Sequence, residues 1–311
     1  MSASSRGSAP DVALHPQAEA ALAEWARGPR VTDPGYDIAE QRRLAREQAA
    51  TEPREDVGHV LDVDADGVPC RLYLPSAGPA GTLPGAIVFL HGGGFVFGDL
   101  DTHDAQSRRM ANRTGLAVLA VDYRRPPEHS FPAAPDDVDT AAAWLVGNGP
   151  AMGIDISRLV ALGDSAGGNL ALVAALRNPN LFAATVLVYP FVDPKLRFES
   201  YRREAGGLGA EEAGWYWQQY SGSPEDYENP DFAPIESGAL DTLPPTLVVT
   251  AEHDPLVDEN VELARRMESA GVAVALSTYS GMVHGFWRHP EQFDAAEESL
   301  AEIAGFLRDT L

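Results

Sequence analysis

The apolar run Leu159-Val160-Ala161-Leu162 leads through Gly163-Asp164-Ser165-Ala166-Gly167 into Asn169-Leu170-Ala171-Leu172-Val173-Ala174-Ala175-Leu176, which has the composition of a buried helix. This places a serine on a sharp strand-to-helix turn. Such a turn thrusts its central residue outward in a strained backbone conformation and leaves no room for side chains two positions before and after it. Ser165 is therefore the candidate nucleophile, and a strand feeding a helix in this way calls for an open sheet covered by helices.

Other apolar runs repeat the pattern. Strands are expected over 86–90, 116–121, 159–162, 185–189, 246–250 and 273–279, alternating with helical stretches. Continuous apolar strands of this kind are buried on both faces, as in a mostly parallel sheet. Before them, residues 57–74 form an extended pair with Asp66-Gly67 as its turn. Two helices, Pro16 to Arg27 and Asp37 to Ala50, precede any strand and are separated by Gly28-Pro29-Arg30 and Asp33-Pro34-Gly35. Residues 195–235 interrupt the alternation with Arg, Glu, Gly and Pro, yet carry Trp215-Tyr216-Trp217 in a helix-like segment starting near Ala210.

The expected organisation is a disordered tail over 1–10, N-terminal cap helices over 11–55, a first core segment over 56–194, a cap insertion over 195–235 and a second core segment over 236–311. A chain of 311 residues suits one large α/β unit with such an accessory region.

A serine hydroxyl needs a base to take its proton, and the base needs a third group to hold it in one tautomer. Thr246-Leu247-Val248-Val249-Thr250 runs into Ala251-Glu252-His253-Asp254-Pro255, putting Asp254 at a strand's carboxyl end. Asp254 could also cap the helix that begins near Pro255, and the two roles are compatible. His284 follows the last strand within Gly281-Met282-Val283-His284-Gly285. His253, His289, Glu252 and Asp258 are the competitors; the histidines read as surface or packing residues, and Asp258 points along a helix rather than off a strand end.

The loop His91-Gly92-Gly93-Gly94-Phe95 follows the strand at 86–90, where backbone N–H groups can face a developing oxyanion. Gly93, Gly94 and Ala166 are the expected donors. No Gly-Lys-Ser/Thr follows, so a phosphate cradle is disfavoured. Asp62-Val63-Asp64-Ala65-Asp66-Gly67 opens like a calcium loop, but its twelfth position is Tyr73 rather than Glu, and strands flank it. It reads as a hairpin turn, and no metal is expected. Trp25, Phe95, Trp215, Tyr216 and Trp217 are the candidate pocket residues.

Composition narrows the partners. A net charge of -23, from 46 acidic and 23 basic residues, disfavours nucleic acid and anionic membranes. Cys70 is the single cysteine, which excludes an intrachain disulfide and a cysteine-based metal site. No secretory core occupies residues 1–30 and no apolar stretch reaches membrane-spanning length, so the expected location is the cytoplasm, with a small ester as partner and no cofactor.

Taken together, His91–Phe95, Gly163–Asn169, Asp254-Pro255-Leu256 and His284-Gly285-Phe286 resemble the bacterial hormone-sensitive-lipase-like esterases (family IV carboxylesterases) of the α/β-hydrolase fold. Asp122-Tyr123-Arg124, Pro127-Glu128-His129 and Phe131–Ala134 resemble the family too, with Arg125-Pro126 in place of its usual Leu-Ala, a departure read as structural. The resemblance covers residues 57–311 and the cap only loosely. It implies an eight-stranded, mostly parallel sheet with helices on both faces and a helical cap, and hydrolysis of short to medium acyl esters without metal or cofactor. Amides, carbamates and lactones would suit the same triad. Hormone receptors that resemble this family look like esterases that lost the histidine, whereas His284 is present here. Many relatives are dimers, which the sequence neither supports nor denies.

Overall fold

The computed structural model describes residues 13–76, 84–203 and 207–311. The tail expected over 1–10 lies outside the described residues. Eight strands form one sheet: β1 (His59–Ala65), β2 (Val68–Leu74), β3 (Ala86–Leu90), β4 (Ala117–Val121), β5 (Leu159–Asp164), β6 (Ala184–Val188), β7 (Thr246–His253) and β8 (Val274–Val283). Their spatial order is β1-β2-β4-β3-β5-β6-β7-β8. The first two pairings, β1 with β2 and β2 with β4, are antiparallel, and all others are parallel.

The β1–β2 hairpin turns at Asp66 and Gly67, both with positive φ (53° and 96°), as a two-residue turn matched to strand twist requires. Asp64 accepts the Gly67 N–H and Asp62 pairs with Arg71, so these carboxylates belong to the hairpin itself.

The helices are α1 (Pro16–Trp25), α2 (Ile38–Ala49), α3 (Asp104–Thr114), α4 (Ala133–Asn148), α5 (Ala166–Arg177), α6 (Ser200–Arg203), α7 (Ala210–Tyr220), α8 (Val257–Ser269) and α9 (Asp294–Thr310). Asp37 caps α2 by accepting the Glu40 N–H at 3.1 Å. Alternate residues of each central strand enter different cores. Ala86, Val88 and Leu90 join the core built with α4, α5 and α8, whereas Ile87 and Phe89 join the one built with α3 and α9. That double burial is why β3, β4 and residues 159–162 of β5 are apolar at every position rather than at every second one.

Three strands run further than their apolar patterns indicate. β5 continues through Gly163 to Asp164, and β7 through Ala251 to His253, paired with β8 across an irregularity between Ala251 and His253. β8 accordingly reaches Val283. These extensions end at residues 164, 253 and 283, each one position before a candidate site residue.

Candidate active site

Ser165 occupies the turn between β5 and α5 with φ 55° and ψ −119°. Backbone this strained survives only where its surroundings dictate it. A Cβ on Gly163 would overlap the Gly167 carbonyl oxygen, and one on Gly167 would overlap that of Leu90. The two glycines let α5 start against β5 and β3, and this close approach fixes the serine between them. Asn169 tethers the same turn, donating from Nδ2 to Phe191 O at 2.8 Å.

The serine hydroxyl donates to His284 Nε2 at 3.0 Å, and His284 Nδ1 donates to Asp254 Oδ2 at 2.7 Å. Asp254 is fully buried, and its other oxygen accepts the Leu256 N–H at 2.8 Å. The capping and orienting roles therefore fall on different oxygens of one carboxylate. With Nδ1 committed as donor, Nε2 is left as the acceptor facing Ser165. The competing residues are engaged elsewhere. Glu252 accepts from Ser280 and Gly281, Asp258 from the Ser200 N–H, and His289 contacts Glu291.

Burial on its own disfavours a positive His284, yet its pKa is raised above the ordinary value. The Asp254 charge and hydrogen bond outweigh the desolvation, helped by the charges of Asp164 and Glu212. Asp164 is itself buried, which pushes its pKa up to about 6. As the candidate base, His284 has to be neutral to act, so the acid limb of kcat/KM should lie above the ordinary histidine value of 6.5. Asp164→Asn keeps an oxygen acceptor but removes one negative charge beside His284, and should move that limb to lower pH. A pH–rate profile on a chromogenic ester checks this; an unmoved or raised midpoint would contradict the assigned source of the shift.

The loop after β3 is held from several sides. Gly92 N–H donates to Asp164 Oδ1 at 3.0 Å, and Tyr123 Oη donates to His91 O at 2.7 Å while its ring stacks on His91. Arg42 of α2 donates from Nε to Val96 O at 2.9 Å. Arg125, the residue that departs from the family pattern, donates to the Gly98 carbonyl and to Asp122 Oδ1. Gly93 and Gly94 take positive φ (112° and 59°) and line the cavity beside Ser165. Ala166 opens α5, so its N–H is among the four that a helix cannot satisfy internally.

A cavity of about 460 Å³ reaches Ser165 and His284. Trp25 of α1, Gln48 of α2 and Tyr216 of α7 contribute to its wall, as do Tyr189 and Arg288. Three of the expected pocket aromatics lie elsewhere. Phe95 and Trp217 are fully buried in the core, Phe95 stacked on Tyr220 and Trp217 against Phe191 and Phe232. Trp215 faces Tyr36 and does not line the cavity. Consecutive helical residues point about 100° apart, so Trp215, Tyr216 and Trp217 cannot share a face. Sequence reasoning missed Asp164, Tyr189, Arg288 and Gln48. Of these only Asp164 carried a signal, as the residue preceding the serine.

Among the described residues, no helix is long and apolar enough to cross a membrane. The alpha/beta hydrolase fold family matches residues 87–288. Ethyl acetate hydrolase of Pseudomonas putida is 38% identical over 255 residues, 80% of each chain. The arylesterase of Saccharolobus solfataricus is 32% identical, covering 88% of this chain and 91% of its own. A hyperthermophilic esterase from the archaeon Pyrobaculum calidifontis superimposes with a TM-score of 0.86 at 35% identity, covering 96% of this chain and 98% of its own. With its sheet order, helical layers and strand-to-helix serine turn, the chain belongs to the hormone-sensitive-lipase-like esterase family of the α/β-hydrolase fold.

Proposed function

We propose that this carboxylic-ester hydrolase acts on short- to medium-chain acyl esters through an acyl-enzyme on Ser165. The observation that carries the reading is the hydrogen-bonded chain from Ser165 through His284 to Asp254, opening on a cavity of about 460 Å³. Ser165 Oγ attacks the ester carbonyl as His284 Nε2 takes its proton. The tetrahedral intermediate collapses with that proton passing to the leaving alcohol. Water then attacks the acyl-enzyme by the same route, and Ser165 recovers its proton.

Asp254 holds the imidazole in one tautomer and stabilises the imidazolium. The N–H groups of Gly93, Gly94 and Ala166 receive the oxyanion, each such donor contributing about 3 to 4 kcal/mol to the transition state. Trp25 and Tyr216 shape the pocket. The two α-helices before the first strand and the 195–235 excursion act together as its cap. The enzyme works in the cytoplasm, without a cofactor.

Hydrolysis of p-nitrophenyl esters from acetate to palmitate tests the reading. The cavity of about 460 Å³ falls within the roughly 300–1,000 Å³ of small-molecule sites, and the reading assigns it small acyl groups. We expect kcat/KM to peak at short to medium chain length and to fall steeply towards palmitate. A maximum at palmitate would contradict the acyl-length reading, and no hydrolysis of any member would contradict the activity.

A further inference from the structure

The expected oxyanion donors are backbone groups, so their aim is set by the loop that carries them. Gly92 O lies 2.9 Å from His91 Nδ1, and Gly93 O accepts the N–H groups of Val96 (3.0 Å) and Phe97 (2.8 Å). In a trans peptide the carbonyl and the N–H of one unit point in opposite directions. With both carbonyls engaged within the loop, the N–H groups of Gly93 and Gly94 are turned the other way, and neither has an acceptor among the described residues. Both glycines line the cavity that reaches Ser165.

That aim depends on Val96 and Phe97, which close the turn on Gly93. Val96 is held from outside the loop, because its carbonyl accepts from Arg42 Nε at 2.9 Å. The rest of the guanidinium is fixed as well: Nη2 donates to Pro126 O at 2.6 Å, and Nη1 donates to the two Glu128 oxygens at 2.8 and 3.0 Å. One planar group thus ties together α2, the turn after β3 and the loop after β4. Its fork shape makes it a stiff brace, which a flexible ammonium would not be. The Arg42 side chain is only 14% exposed and does not line the catalytic cavity, so any effect it has on turnover passes through the loop.

We infer that Arg42 is a positioning residue for the oxyanion hole: by holding Val96 it keeps the Gly93–Gly94 peptide with its N–H towards the reacting carbonyl. The docking of α2 then becomes a condition for stabilising the transition state. The inference rests on the esterase reading.

The test is Arg42→Gln, with Arg43→Gln as control, since Arg43 is exposed and pairs with Glu40 and Glu47 of its own helix. A misplacement of about 1 Å at a reacting centre costs up to about 10²-fold in rate. On p-nitrophenyl butyrate, kcat of Arg42→Gln should fall about 10- to 100-fold with KM within about threefold, and Arg43→Gln should match wild type. A second readout isolates the oxyanion. A trifluoromethyl ketone adds to the serine oxygen as a tetrahedral alkoxide, whereas the methyl ketone of equal chain length is a poor electrophile and binds without adding. Ki for the trifluoromethyl ketone should rise in Arg42→Gln by the factor by which kcat/KM falls, while Ki for the methyl ketone stays nearly constant. A folded variant with kcat within about twofold of wild type, or one in which the trifluoromethyl ketone weakens no more than the methyl ketone, would overturn the inference. Should Arg42→Gln fail to fold, Arg42→Lys, which keeps the charge beside Glu128 but not the planar fork, decides by the same criteria. A wild-type protein that neither hydrolyses the ester nor prefers the trifluoromethyl ketone would instead contradict the esterase reading itself.

Discussion

Ser165→Ala should remove nearly all turnover, lowering kcat on p-nitrophenyl butyrate by about 10⁴-fold or more while leaving the fold in place. The loss is this large because the proposed acyl-enzyme forms on this hydroxyl, so neither His284 nor Asp254 contributes by the same route once it is gone. Stability should hardly change. The strained φ of 55° is imposed by the close approach of α5 to β3 and β5, and alanine meets it as serine does. The hydroxyl's hydrogen bond is to His284, at the edge of an open cavity rather than within the core. Steady-state kinetics beside a thermal melt separates the two quantities. More than a tenth of wild-type activity in the variant would mean that another residue is the nucleophile.

Asp254→Asn should be nearly as damaging, with a fall in kcat of roughly 10⁴-fold. Asparagine matches the shape of aspartate and can still accept the Leu256 N–H at the start of α8, so the turn survives. What changes is the atom or charge presented to His284 Nδ1. An amide nitrogen there favours the tautomer with its proton on Nε2, which cannot take one from Ser165. A neutral amide oxygen there would stabilise the imidazolium less than the carboxylate does. The His284 pKa, raised by the charge and hydrogen bond of Asp254, should drop with them. Kinetics with the variant, accompanied by a pH profile, tests both points. Activity within tenfold of wild type would show that Asp254 does not orient the histidine.

The parts of this molecule that were legible in its sequence are those where one physical demand governs a whole segment. Burial on two faces makes β3, β4 and residues 159–162 of β5 uninterrupted apolar runs, and the serine turn demands glycine at 163 and 167 because carbonyl groups occupy the space of any side chain there. Strand ends were less legible. Glu252 and His253, and Ser280 and Gly281, have the polarity of a loop but remain within paired strands, because β7 and β8 continue beyond the apolar part of the sheet.

The aromatic pocket was the least legible part. Trp215, Tyr216 and Trp217 are neighbours in sequence, yet the helix sends one to Tyr36, one to the cavity and one into the core. Phe95 follows the glycines of the candidate oxyanion loop but adopts φ 64° and stacks on Tyr220, away from the cavity. Direction, rather than residue type, decides these roles, and direction depends on where the helix or loop docks.

The most direct measurement of the central claim is covalent labelling with diethyl p-nitrophenyl phosphate, followed by peptide mass spectrometry and residual activity. The reagent phosphorylates an activated serine with release of p-nitrophenol and mimics the acylation step. The account predicts one diethylphosphoryl group per chain, on the peptide holding Ser165, with activity lost in proportion to label. Inactivation with the label on another residue, or full activity after stoichiometric labelling of Ser165, would contradict it.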